Sequence, residues 1–209
     1  MPDTIPLFPL SEVLFPGMPL PLHIFEPRYL KMVGRCVRDK MPFGVVLITK
    51  GSAEQSGAEF RQIGTTARIM QVQRFDNGRL NVASVGEQRF RVLETNNSEP
   101  YTQGKVQVIP EQPGDGSALD GLHARALDLL STYLELVTGS DQLRGNLEEK
   151  DFSPQSLSYT IGTLLQIDLQ LKQGILEVPS TTARLQHEIS LLRAELVELK
   201  LVGQTHRQD

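Results

Sequence analysis

Apolar and polar positions divide the chain into an extended, proline-punctuated opening, a β-rich middle and a helical second half. Between Pro6 and Leu30, large apolar residues are interleaved with prolines at 6, 9, 16, 19, 21 and 27. Each X-Pro step fixes φ and each proline lacks a backbone donor, so this stretch predicts an extended course along a sheet edge or barrel seam. Pro27 fits the first position of a helix, with Glu26 beside its positive end. Leu30, Val33 and Val37 then share a face, which predicts an amphipathic helix over 27–38. Residues 43–49 (FGVVLIT) read as a buried strand, and the small, polar residues 51–62 as a loop. Two β-rich runs, 63–75 and 79–94, flank Asp76-Asn77-Gly78. That predicts a hairpin closed by a type I′ turn, with φ > 0 at both central residues. Gly86 within the second run predicts a bulge or bend, and 101–111 adds a strand ending at Pro110. Several short, antiparallel-patterned strands predict a small barrel or closed sheet.

Residues 111–117 (EQPGDGS) read as a hinge-like linker, and the remainder reads as helix. Leu119, Leu122, Ala126, Leu129, Tyr133 and Val137 form one stripe. Ser153-Pro154 starts a helix through about 166, Asp168 caps one through about 177, and Ser180 caps the last. In that last helix Leu185, Ile189, Leu192, Leu196 and Leu199 alternate at 4 and 3 spacing, too few repeats for a coiled coil. The stripe is therefore expected to pack on the protein's own bundle.

Charge sharpens the division. Residues 1–110 carry 13 Lys/Arg against 10 Asp/Glu, whereas 111–209 carry 8 against 15, within a net charge of −4. Cys36 alone rules out an intramolecular disulfide and fits a reducing compartment. With no basic, uninterrupted apolar leader and no run of about 20 apolar residues, a cytoplasmic chain without membrane contact is expected.

The chemistry-bearing motifs fail one by one. Gly104-Lys105 is followed by Val106, and position 99 is Glu, so there is no phosphate-binding loop. Neither G-x-G-x-x-G nor G-x-S-x-G occurs. His23, His123, His187 and His206 are scattered without a second ligand at metal-like spacing. His23 reads as a core or edge histidine satisfied by backbone, and Cys36 as a structural thiol despite nearby Arg35 and Arg38. Glu148, Glu149 and Asp151 read as a surface acidic cluster. Arg28, Lys31, Arg35 and Arg38, at i, i+3, i+7 and i+10, make a basic stripe. It reads as the solvated face of an amphipathic helix, or alternatively as a contact for an anion, an acidic peptide or nucleic acid.

The PLFPL start, LFPGMPLPLHIFEPRY (14–29), FGVVLI (43–48), IGTTARI (63–69), the 76–78 turn, VGEQRFRVLE (85–94) and Pro100-Tyr101 occur in one order. Together they resemble the N-terminal substrate-binding domain of Lon-type ATP-dependent proteases over residues 5–110, and the helical remainder resembles the bundle that follows it. The resemblance implies an α+β fold: a PUA-like pseudo-β-barrel of mostly antiparallel strands over 1–111, then a C-terminal helical bundle over 118–209. The chain ends at Asp209 without ATPase or Ser-Lys protease modules, which resembles a stand-alone substrate-binding-domain protein. The role expected from this is non-enzymatic binding of unfolded or partner polypeptides in an apolar groove between barrel and helices, as a monomer or weak homo-oligomer, with no cofactor or metal. Candidate binding residues are Met18, His23, Phe25, Arg28, Tyr29, Arg68 and Arg89. Arg28 could instead pair with Glu26 or Glu87, and Tyr29 could close the barrel. The alternative is an RNA-binding PUA-like protein using the face Arg28-Lys31-Arg35-Arg38. Net acidity and 12 aromatics with no Trp place nucleic acid below polypeptide.

Overall fold

The computed structural model describes residues 4–51, 59–139 and 151–205, and among these the chain is α+β, with seven strands and five helices. It forms two compact units: Met1–Pro110 with Ile167–Glu177, and Glu111–Gln166 with Val178–Asp209.

In the first unit, β1 (Thr4–Leu10), β2 (Pro19–Ile24), helix α1 (Pro27–Asp39), β3 (Phe43–Lys50), β4 (Glu59–Phe60), β5 (Ile63–Arg74), β6 (Leu80–Asn96) and β7 (Gln103–Val108) follow in order. The pairing path runs β1-β7-β6-β5-β3 and returns to β1. The closing pair, β1 with β3, is parallel, with Leu7 opposite Gly44 and Leu10 opposite Leu47, while the other pairings are antiparallel. β2 lies outside the ring, paired on one side to β6, which is where Pro19 and Pro21 are tolerated.

Closure demands close backbone approach. A Cβ on Gly64 would stand 2.1 Å from the Val45 carbonyl oxygen, and one on Gly86 would stand 2.3 Å from that of Phe15. Gly86 is also the corner expected from the sequence. Three β6 steps span two of β5 between the pairs Thr65–Arg89 and Ala67–Gly86, so β6 bulges there. Before this corner β6 carries β2, and after it β7. Ile5, Leu7, Val46, Phe90, Val92 and Val106 form one core cluster. A larger one gathers under α1, where the Phe8 and Tyr29 rings pack at a tilt of 47° with centroids 4.3 Å apart.

Two local expectations are corrected. At the β5–β6 hairpin only Gly78 has positive φ (81°), and its N–H donates to the Phe75 carbonyl at 2.9 Å. Asn77 instead accepts from the Arg79 N–H through its side chain, so the turn is not type I′. The buried face of α1 is Tyr29, Met32, Val33 and Cys36, leaving Val37 50% exposed. The 29/32/33/36 spacing is the true i, i+3, i+4, i+7 stripe once Tyr and Cys are counted as apolar.

Helix α4 (Leu169–Glu177) belongs to this first unit. Gln173 donates through Nε2 to the Ile63 carbonyl, and buried Arg89 donates to the Leu176 carbonyl, each at 2.9 Å.

The second unit holds α2 (Gly116–Thr138), α3 (Pro154–Leu164) and α5 (Thr181–Thr205). Asp115 caps α2 by accepting from the Ser117 N–H, and Ser153 caps α3 by accepting from that of Ser156. Leu185, Ile189, Leu192 and Leu196 of α5 are buried. Beneath them, Arg184 (0% exposed) donates to Glu111 at 2.7 Å and to the Ser158 hydroxyl at 2.6 Å, with its guanidinium 4.2 Å from the Tyr159 ring centroid. Among the described residues no helix is long and apolar enough to cross a membrane. Most of the expected 51–62 loop, together with Glu148, Glu149 and His206, lies outside the described residues, and Asp151 is exposed.

Candidate functional site

β5 outruns its partner. Its pairing with β3 ends at Ala67 opposite Phe43, but the strand continues to Arg74, where among the described residues it is hydrogen-bonded to β6 alone. With β2 on the far side of β6, residues 68–74 form the free edge of a three-stranded arm, β2-β6-β5. Burial changes at the same point: 63–67 are buried, and 68–74 are exposed or half-buried. Side chains that would pack in a closed ring therefore meet solvent, with Met70 58%, Val72 36% and Phe75 37% exposed.

Two depressions flank this arm. One, about 450 Å³, lies between the end of α1 and the β5 edge and is lined by Val37, Lys40, Met41, Met70, Val72 and Glu87 among others. Cys36 forms part of its wall, but burial pushes the thiol up to about 12, only partly countered by Arg35, which disfavours the reactive thiolate. The other, about 410 Å³, lies on the face formed by β2, β6 and β5 and includes Leu22, His23, Gln71, Gln73, Asn81 and Ala83. Phe25, 55% exposed, and Phe75 place their rings 6.2 and 6.4 Å from that of His23. These are large apolar groups on a concave, solvent-facing surface. Such a surface can take apolar side chains without any covalent chemistry.

The residues expected at the site separate into three groups. His23 and Phe25 are exposed on the arm, but His23 is satisfied by the Asn81 side chain at 2.8 Å across the β2–β6 pair, not by backbone. Arg68 is exposed and ion-paired with Glu87, at the rim of the larger depression. Met18 is half-buried against the core, and Arg28 is half-buried with its guanidinium 2.8 Å from Glu26 and 4.6 Å from the Tyr29 ring centroid. Tyr29 and Arg89 are 4% and 2% exposed and act inside the fold. The site therefore excludes these two. Sequence reasoning misses Val37, Met70, Val72 and Phe75, because an apolar residue in a β pattern reads as core until the partner strand is known to stop.

The basic stripe is internally compensated. Lys31 pairs with Glu99 at 2.8 Å, Arg38 with Asp39 at 2.8 Å, and Arg35 lies 3.7 Å from Asp39 and 3.8 Å from Glu99. Hydrogen bonds from Arg38 and Lys31 hold Asp39 and Glu99 below the usual carboxylate range. Among the described residues no group of three His, Cys, Asp or Glu side chains could hold a metal ion.

Comparison with known proteins converges on one family. The family model for the ATP-dependent protease La (LON) substrate-binding domain matches residues 4–194. The chain is 27% identical over 208 residues to the Lon protease of Anaeromyxobacter dehalogenans, and 26% over 204 residues to Lon protease 2 of Myxococcus xanthus. Each alignment covers 96% of this chain but only 24% and 25% of the relative, so the chain spans about a quarter of those proteins. Among solved structures, a Lon N-terminal domain protein from Xanthomonas campestris matches with TM-score 0.65 and 26% identity, covering 90% of this chain and 97% of its own. The N-terminal domain of a Mycobacterium avium complex Lon protease matches with TM-score 0.69 over 91% and 98%, and at 18% identity it attests the fold alone. The chain belongs to the family of the ATP-dependent protease La (LON) substrate-binding domain.

Proposed function

We propose that the chain is a non-catalytic recognition module that binds apolar segments of unfolded or partner polypeptides on the β2-β6-β5 arm. The observation that carries this reading is the group of solvent-facing side chains Phe25, Val37, Met70, Val72 and Phe75 around two depressions on that arm. Met70 adds an unbranched, adaptable side chain suited to varied sequences. Membership of a family described as substrate-binding supports the same role, as do full-length relatives that are proteases. The module works in the cytoplasm, where Cys36 stays a buried thiol. Ion pairing along α1 compensates the Arg28-Lys31-Arg35-Arg38 face on which the nucleic-acid alternative rests.

The test is fluorescence anisotropy of a labelled, permanently unfolded polypeptide titrated with the protein at two salt concentrations, with labelled single-stranded RNA in parallel. Saturable polypeptide binding that persists at the higher salt is expected, because apolar contacts are not screened. Binding confined to RNA and collapsing with salt would overturn the reading. So would silence with both probes.

A further inference from the structure

We propose that the occupant of the arm is bound as an added β-strand, hydrogen-bonded to the free edge of β5. It would be an extended polypeptide segment with apolar side chains at alternate positions and a carboxylate near one end. This inference rests on the polypeptide-binding reading and specifies its geometry and substrate class.

The backbone supplies the first argument. Beyond Ala67 nothing among the described residues pairs with β5 on the side that β3 occupies before it. Backbone groups directed to that side of 68–74 have no backbone partner among the described residues. Unpaired strand edges template the addition of another strand, with main-chain hydrogen bonds giving affinity and alternate side chains giving selectivity.

The shape of the edge limits what can add. Between the pairs Ile69–Ser84 and Gln71–Ala83, two β5 steps oppose one β6 step, so β5 bulges at Met70. A bulge interrupts long regular pairing and guards an edge against indiscriminate growth. Beyond it, residues 71–74 keep regular register with 83–80 of β6. The regular template is thus four residues long, and the exposed Met70 side chain lies in the wall of the larger depression beside it.

Charge defines the partner further. Lys40 lines that depression and Arg74 ends the edge, and neither has a carboxylate partner among the described residues. The strand itself carries no acidic residue, and of its two arginines Arg68 is ion-paired with Glu87 of β6, which leaves Arg74 as its uncompensated charge among the described residues. A segment with a carboxylate beside its apolar run complements this edge. A second copy of β5 brings another Arg74 and no carboxylate of its own, so it supplies no complementary charge.

The test uses three labelled peptides of one sequence, with Val and Thr alternating and Asp at the ends. One is unmodified, and in the other two one or the other set of alternate backbone amides is N-methylated. An added strand uses only alternate amides toward its template, so one methylated peptide is expected to bind about tenfold more weakly or worse while the other stays within about twofold of the parent. Amide exchange within 68–74 is expected to slow on binding the parent. Equal affinity for both methylated peptides overturns strand addition and leaves apolar recognition standing. Strand addition is likewise overturned if the unfolded polypeptide binds but the parent peptide does not, or if slowed exchange falls elsewhere. A dimer of this chain displaced by peptide would overturn the charge argument for the occupant. Silence with every polypeptide probe overturns both this inference and the function it rests on.

Discussion

The buried pair that anchors the start of the second unit provides a quantitative test of how that unit is held together. Glu111 accepts from Arg184 and from the Thr181 hydroxyl, both at 2.7 Å, and from the Tyr159 hydroxyl. Replacing Glu111 by Ala removes the carboxylate and leaves a guanidinium side chain that is 0% exposed with its positive charge uncompensated by that partner. Breaking a buried pair from one side costs about 3–5 kcal/mol. The Glu111 side chain is 18% exposed, so water softens the loss and places it near the lower figure. At about 2–4 °C per kcal/mol for a chain of this size, Tm should fall by roughly 6–12 °C in calorimetry. The double variant Glu111→Ala, Arg184→Met should recover much of this, because the stranded charge is gone. Burial raises the Glu111 carboxyl, but Arg184, Thr181 and Tyr159 more than reverse it, and its net position is lowered. Its stabilisation is then present above the ordinary carboxylate pKa and lost as pH falls through the lowered folded value. The gap between wild type and variant should accordingly shrink in acid. An unchanged Tm for Glu111→Ala, or a double variant no better than the single one, would refute the reasoning.

Other outcomes follow from single positions. Glu188, buried beside Arg184 and accepting from Ser158, is raised well above the usual carboxylate range chiefly by burial. Its contribution is full below the ordinary pKa and lost as pH rises through the raised value, so Glu188→Gln should gain stability over wild type as pH rises in urea titrations. A constant difference across pH would contradict this. Gly86→Ala drives a Cβ to 2.3 Å from the Phe15 carbonyl oxygen and should cost about 1–3 kcal/mol in denaturant midpoint. A neutral substitution would mean the corner is not closely packed. Cys36, with its thiol pushed up to about 12, should alkylate at pH 8 at least about a hundredfold more slowly in folded than in urea-unfolded protein.

The sequence made some features legible because their causes are local. Pro27 starts α1, Ser153 caps its helix, and Gly86 marks a corner because only glycine tolerates the Phe15 carbonyl so near. The ordered motifs led to the family. What stayed hidden depends on partners distant in the chain. That β3 stops pairing at Ala67 is not written in residues 68–74, yet it turns Met70 and Val72 from core candidates into surface. Arg89 reads as a binding cation until its acceptor proves to be the Leu176 carbonyl, 87 residues away. Within the basic stripe, Arg28 and Arg38 pair with their neighbours Glu26 and Asp39, whereas the partner of Lys31 is hidden because Glu99 lies far along the chain. Nor does periodicity alone group 167–177 with the first unit, because short amphipathic helices read alike whatever they cover.

The most direct measurement compares wild type with the double variant Met70→Asp, Val72→Asp in binding the labelled unfolded polypeptide. Both side chains are exposed, so the Tm should hold near that of wild type, which calorimetry verifies first. If the arm is the recognition surface, removing two apolar contacts and adding two charges should weaken binding by about a hundredfold. Unchanged affinity in a folded variant would contradict the account and place recognition on another surface of the molecule.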